Sequence, residues 1–201
     1  MSILKINLRT LYQDDPSLES SFPFVKYYEY LNESIAFELR RGNDCIEPAS
    51  FAHINSMEIK KALTFLITIS TIRNNRIINL KYSFECENCG AYDSVEEEDL
   101  EEWTCYECDE TINIKSLMQK GLVNLNVAFE IDRNLRMAML EGFKFPSSNN
   151  SKIIVSEVEG GPSNIDNFIN IDKYFPEEKF DSNSLNSISD SQKIRDLLLN
   201  M

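Results

Sequence analysis

The 201 residues are 42% hydrophobic and 26% charged, ordinary values that exclude wholesale disorder and suit one large domain or two small ones. The longest uncharged apolar stretch, Ala62 to Ile72, is far too short to cross a bilayer. The net charge of −13 sits almost wholly in one segment. Residues 86–110 carry eleven acidic side chains and no Lys or Arg, residues 1–85 carry ten of each sign, and residues 111–201 carry twelve acidic and ten basic.

From the N-terminus, Met1 to Arg9 lacks the continuous apolar core and small-residue cleavage site of a secretory signal. Phe24, Tyr28, Leu31, Ile35 and Leu39 recur at three- and four-residue spacings, which predicts a helix from about Phe24 to Arg41 with Gly42 as its left-handed cap. Asn43 to Ser50, containing Pro48, reads as a connection. Asn55 followed by Glu58 reads as a capping box that opens a second helix, whose wide apolar face (Ile59, Ala62, Leu63, Leu66, Ile67, Ile69) marks it as central to the core.

Arg73 to Arg76 reads as a turn. Ile78, Leu80, Tyr82 and Phe84 then alternate with polar residues, the period of a half-buried strand. Ile112 and Ile114 alternate beyond the second cysteine pair and are expected to form its antiparallel partner. Leu125, Val127, Phe129 and Ile131 predict one face of a strand over Leu122 to Ile131, with a short helix at Asn134 to Glu141. Further on, the sequence predicts a loop at Pro146, a short strand at Ile153 to Val158, a break at Gly160 and a mobile Ser/Asn/acid-rich stretch over 175–190. A terminal helix is expected at Ser189 to Asn200, with Ile194, Leu197 and Leu198 on its apolar side. Packing on its own domain is the commoner fate of such a tail, docking into a partner the alternative.

The strongest motif is Cys86-Glu-Asn-Cys89-Gly90, then Cys105-Tyr-Glu-Cys108-Asp109. A Cys-x-x-Cys turn brings two sulfurs within reach of one tetrahedral ion, and the separation of the turns is that of a zinc ribbon. Gly90 and Asp109 suit the positive φ with which such turns end. One structural Zn²⁺ is the expected occupant, because four sulfurs leave no position for substrate. An iron tetrathiolate stays open, since soft ligands do not exclude iron. A redox Cys-x-x-Cys is disfavoured, because no thioredoxin-like βαβ pattern surrounds either pair. Five cysteines used in this way fit a reducing compartment, and the cytoplasm is the expected location.

The helix Met57 to Ile72, the strand Arg76 to Phe84 and the two cysteine turns together resemble a winged-helix unit followed by a four-cysteine zinc ribbon. That association is found in some prokaryotic regulatory and multi-subunit proteins. The ribbon resemblance covers residues 82–114 and none of the last 80 or so residues. From the predicted elements taken together, an α+β protein in three parts is expected: a helical, winged-helix-like region over residues 1–81, the ribbon over 82–114, and an irregular α+β region over 115–201.

Function is expected to follow from charge. The acidic insert Ala91 to Trp103 repels phosphates, so nucleic-acid binding through the ribbon is not expected. Its functional reading is a docking surface for a basic protein partner, with Val95, Leu100 and Trp103 as apolar anchors inside an acidic rim. The plainer reading is that Leu100 and Trp103 cover the metal site while the acids sit in water. Lys60, Lys61, Arg73, Arg76 and Lys81 offer a modest basic patch for a nucleic-acid-binding regulator acting through the N-terminal region.

Catalytic motifs are missing. His53, the only histidine, reads as a partly buried structural residue. Cys45, beside Asp44 and Glu47, reads as an unreactive core thiol. Asp14-Asp15 and Glu157-Val-Glu159 read as solvated loop carboxylates. The expectation is a non-catalytic adaptor or accessory subunit of a larger multi-protein or defence-like complex.

Overall fold

The computed structural model describes residues 2–72, 77–124, 126–142, 167–176 and 190–199. Within them the protein is α+β. Helices α1 (Ile3–Asp14), α2 (Leu18–Ser21), α3 (Phe24–Arg40), α4 (Pro48–Ile54) and α5 (Ile59–Ser70) precede strands β1 (Ile78–Glu85), β2 (Tyr92–Val95), β3 (Trp103–Thr104) and β4 (Thr111–Ile112). Helix α6 (Ile114–Gln119), strand β5 (Asn126–Ile131), helix α7 (Arg133–Gly142), strand β6 (Ile169–Asn170) and helix α8 (Asp190–Leu199) complete it. No helix among the described residues is long and apolar enough to cross a membrane.

Helix α5 is the centre of the packing. Ala62, Leu63, Phe65, Leu66, Ile67 and Ile69 are all buried, so it is apolar on most of its circumference, as a core helix must be. It packs on α4, α8 and β1. Phe65 gathers the N-terminal helices around it, with ring centroids 4.4 Å from Tyr27, 5.2 Å from Phe22 and 5.9 Å from Phe51. Such offset and tilted aromatic contacts add to the stabilisation from area burial alone.

The main sheet is antiparallel with strand order β2-β1-β5-β6. Register places Tyr82 between Val95 of β2 and Val127 of β5. The Asp44–Ile46 segment extends the same edge as β6: the Ile46 N–H donates to Phe129 and the Ile131 N–H to Asp44. One buried cluster draws residues from Leu4 to Leu198. Strand β1 crosses the expected boundary between residues 81 and 82, and its partner β5 comes from the third expected region.

Several expectations need correction. Residues 3–14, without a predicted element, form α1, with Leu4, Leu8 and Leu11 buried and the Ser2 hydroxyl accepting from the Lys5 N–H. The connection Asn43 to Ser50 contains the start of α4, where Pro48 occupies the first turn. The capping box at Asn55 does not form: the second helix is preceded by Glu58, while Asn55 ends α4 and donates to Ser34 Oγ at 3.0 Å. Ile112 does not pair with β1. It lies opposite Trp103 in a separate two-stranded hairpin, and Ile114 begins α6. Phe175, expected in the mobile stretch, is fully buried.

Helix α8 packs against α5 and α6, buries Ile194 and Leu198, and leaves Leu197 40% exposed. Arg195, itself buried, pairs with Asp172. The tail therefore packs on its own chain. The expected turn at Arg73–Arg76, the loop at Pro146, the strand Ile153–Val158, the break at Gly160, Leu125 and the stretch beyond residue 176 as far as 189 lie outside the described residues, as does the Glu157–Glu159 pair.

Candidate metal centre

Two hairpins meet tip to tip. Strand β1 runs into Cys86, and β2 returns antiparallel to it with Glu85 opposite Tyr92. Strand β3 runs into Cys105, and β4 returns with Thr104 opposite Thr111. The two tips repeat one hydrogen-bond pattern. The Cys86 N–H donates to Ala91 and the Gly90 N–H to Cys86; nineteen residues later Cys105 donates to Glu110 and Asp109 to Cys105. Gly90 has φ 74° and Asp109 φ 57°. This left-handed turn closes each tip, free of strain for glycine and tolerated by aspartate.

The repeat brings the four Sγ atoms within 4.8 Å of one another. Cys86 and Cys105 are buried, Cys108 is half-buried and Cys89 exposed. Between the tips, Cys86 and Cys108 approach to 3.7 Å and Cys89 and Cys105 to 3.5 Å. The four cysteines are positioned to bind a metal ion. Hydrogen bonds from the Asn88 side chain and the Glu110 backbone draw the Cys108 thiol down to about 7. Cys89 moves up to about 12: the Ala91 backbone hydrogen bond favours its thiolate, but desolvation and the thiols of Cys105, Cys108 and Cys86 outweigh it. Four sulfurs this close share protons, and a cation must displace them to bind.

The centre is braced from behind. Trp103 donates from Nε1 to Asp93 Oδ2 at 3.0 Å and meets Phe84 edge to face at 5.1 Å. The Lys115 N–H donates to Leu100, tying the start of α6 to the acidic connection. Val95, Leu100 and Trp103 are only 2%, 3% and 6% exposed. They cover the sheet end and the hairpins from within, as in the plainer of the two readings, and do not stand out as apolar anchors on the surface. The acids are outside. Of the eleven between residues 86 and 110, all but the half-buried Asp93 are exposed. The exposed aromatic rings of this region are Tyr106 and Tyr92, at 63% and 47%.

Among the described residues, the other sequence candidates do not assemble into a site. His53 is exposed on α4, contrary to its expected partial burial, because α4 turns its Phe51 and Ala52 inward instead. Cys45 is pushed up to about 12 by burial first, then by Asp44 and Glu130; Glu130, which pairs across the strand bridge, takes the part expected of Glu47. A cavity of about 530 Å³ between α2, α5 and α8 and another of about 410 Å³ beside Cys86 include neither residue. In the expected basic patch, Lys81 is engaged by Glu96 and Glu130, Lys60 lies over the Phe175 ring, and Arg73 and Arg76 fall outside the described residues.

Comparison with protein-family models, with curated proteins and with solved structures finds no match to this chain. The winged-helix and ribbon resemblances therefore rest on the residues themselves.

Proposed function

We propose that Cys86, Cys89, Cys105 and Cys108 hold one structural Zn²⁺ and that the protein is a non-catalytic adaptor or accessory subunit in the cytoplasm. In this reading the metal pins two hairpins whose outer surface presents carboxylates to a basic protein partner. The donor set supports zinc, because four thiolates form a closed tetrahedral shell with no position left for a substrate or water. Zinc also accounts for the folding of a segment that is rich in like charge, since metal binding supplies free energy that its few apolar residues do not.

The observation that carries the adaptor reading is the exposure of ten acidic side chains on a segment with no Lys or Arg. Two of them, Glu96 and Glu101, are partly offset by Lys81 and Lys115. A surface of one sign steers a partner of the other and repels phosphate backbones. Two measurements test the reading. Elemental analysis of protein purified without added metal should give one zinc per chain, where iron would instead colour the protein. Affinity capture at low salt should retain a basic partner that roughly 0.5 M salt releases, because the Debye length then falls to a few ångströms. Retention unchanged by salt would sink the electrostatic docking idea.

A further inference from the structure

We propose that the cysteine cluster is an oxidation switch, in which a peroxide joins Cys89 to Cys105 across the two hairpins and the metal is lost. The proposal rests on the metal-centre reading above and adds a regulation to it. Exposure is graded through the cluster: Cys86 and Cys105 are 1% and 0% exposed, whereas Cys89 is open to solvent beside the exposed Gly90. With the metal bound all four sulfurs are thiolates, so access decides, and an oxidant arriving from solvent meets Cys89 first. The sulfur then at hand is Cys105, 3.5 Å away on the other hairpin, and the second pair, Cys86 and Cys108, lies at 3.7 Å.

The chemistry balances in two steps. The Cys89 thiolate attacks one peroxide oxygen; the S–O bond forms, the O–O bond breaks, and the departing hydroxide takes a proton to become water. The Cys105 thiolate then attacks the sulfur of the sulfenic acid; the S–S bond forms, the S–O bond breaks, and a second hydroxide leaves as water. Two thiolates have lost two electrons to one peroxide. Cys86 and Cys108 repeat the sequence with a second peroxide. Cross-linking between hairpins matters, because both disulfides then replace the ion as the tie between the tips. A disulfide within either Cys-x-x-Cys turn would leave the hairpins unconnected. Oxidation also removes the local charge of about −2 that a zinc tetrathiolate carries, on a surface already dense in carboxylates.

The test uses the whole chain as purified. It is treated with one equivalent of hydrogen peroxide, then alkylated and digested with a glutamyl endopeptidase, which cleaves after Glu87, after the glutamates between Glu96 and Glu102, and after Glu107, and so separates all four cysteines. Mass spectrometry without reduction should find Cys89 linked to Cys105 as the first disulfide, a chromophoric chelator should report metal release in step with it, and a dithiol with added zinc should reverse both. Disulfides confined to Cys86–Cys89 and Cys105–Cys108, or a sulfinic acid at Cys89 with no disulfide, would overturn the switch while leaving the metal site standing. Metal-free protein that nevertheless forms the Cys89–Cys105 link would instead sink the metal reading and keep the pairing.

Discussion

The phenol of Tyr82, in the middle of β1, donates to the backbone carbonyl of Leu198 in the last turn of α8 at 3.1 Å, across 116 residues of chain. The same residue lies between Val95 of β2, in the first cysteine hairpin, and Val127 of β5. Tyr82 thus links both neighbouring strands of the sheet to the C-terminal helix, and it is fully buried.

Tyr82→Phe keeps the ring and removes only that hydrogen bond. The Leu198 carbonyl, in the last turn of the helix, then loses this donor. The expected cost is about 0.5–1.5 kcal/mol, the net value of one such bond. Urea unfolding should show the lower midpoint. Hydrogen exchange should show faster amides in α8 than in α5, and uniform acceleration of both would mean that the bond does not hold the tail.

Stability should fall on the alkaline side. Burial raises the phenol of Tyr82, with Glu97 adding to it, and burial with Glu19 raises that of Tyr12. Burial raises the Cys45 thiol to about 12 from 9.0. All three groups are held neutral in the folded chain. Below the unfolded pKa both states keep the proton and nothing changes. Above it the unfolded chain ionises first, so stability present below about pH 9 is lost progressively as the pH rises towards the folded values. Urea midpoints at about pH 8 and about pH 10.5 should differ, and Tyr82→Phe with Cys45→Ala should shrink the difference, leaving the part due to Tyr12.

What could be read in advance was local. Helix α3 announces itself because its apolar residues keep the helical period over four turns, and the metal ligands because both turns carry the same five-residue pattern. Helix α1 carried a readable signal in Leu4, Leu8 and Leu11 with Ser2 before them, but the exposed Ile3 and Ile6 blur its apolar face. Pro48 suggested a loop although proline also starts helices. The pairing of Ile112 was not legible: alternation marks a strand, while its partner depends on which segment folds back first, and β2 lies nearer to β1 in the chain. Asn55 illustrates tertiary override, since Ser34 on α3 draws its amide away from the capping position. Val95, Leu100 and Trp103 looked like anchors because they interrupt a run of acids. Apolar residues in so charged a run are also the ones that must turn inward.

Removing the metal should loosen both hairpins, because structural zinc supplies on the order of 10–16 kcal/mol of apparent binding free energy in small modules. Trp103, the single tryptophan, sits 6% exposed against Phe84 and Asp93, so its fluorescence reports on this region alone. A strong chelator should shift the emission to the red, and zinc should restore it. Cys105→Ser should give the shifted spectrum without chelator. Cobalt in place of zinc should give the visible absorption of a tetrahedral tetrathiolate. An emission maximum indifferent to chelator would mean that the hairpins stand without an ion.

Charge reversal should separate the docking role of the acidic connection from its role in folding. Glu97, Glu98 and Asp99 form a single exposed 3-10 turn between β2 and β3, away from the four sulfurs in sequence. Changing all three to Lys moves the formal net charge from −13 to −7, since each reversal adds two. Exposed substitutions of this kind cost within about 0.5 kcal/mol each, so metal content and unfolding midpoint should stay near those of the native chain. Binding to the captured partner, or to an arginine-rich peptide as a defined stand-in, should weaken on the order of 10- to 100-fold at low salt, mainly through slower association. The two proteins should converge at roughly 0.5 M salt, where surface charges no longer reach each other. Equal affinity at low salt, with the fold intact, would leave the carboxylates as no more than a solvated face.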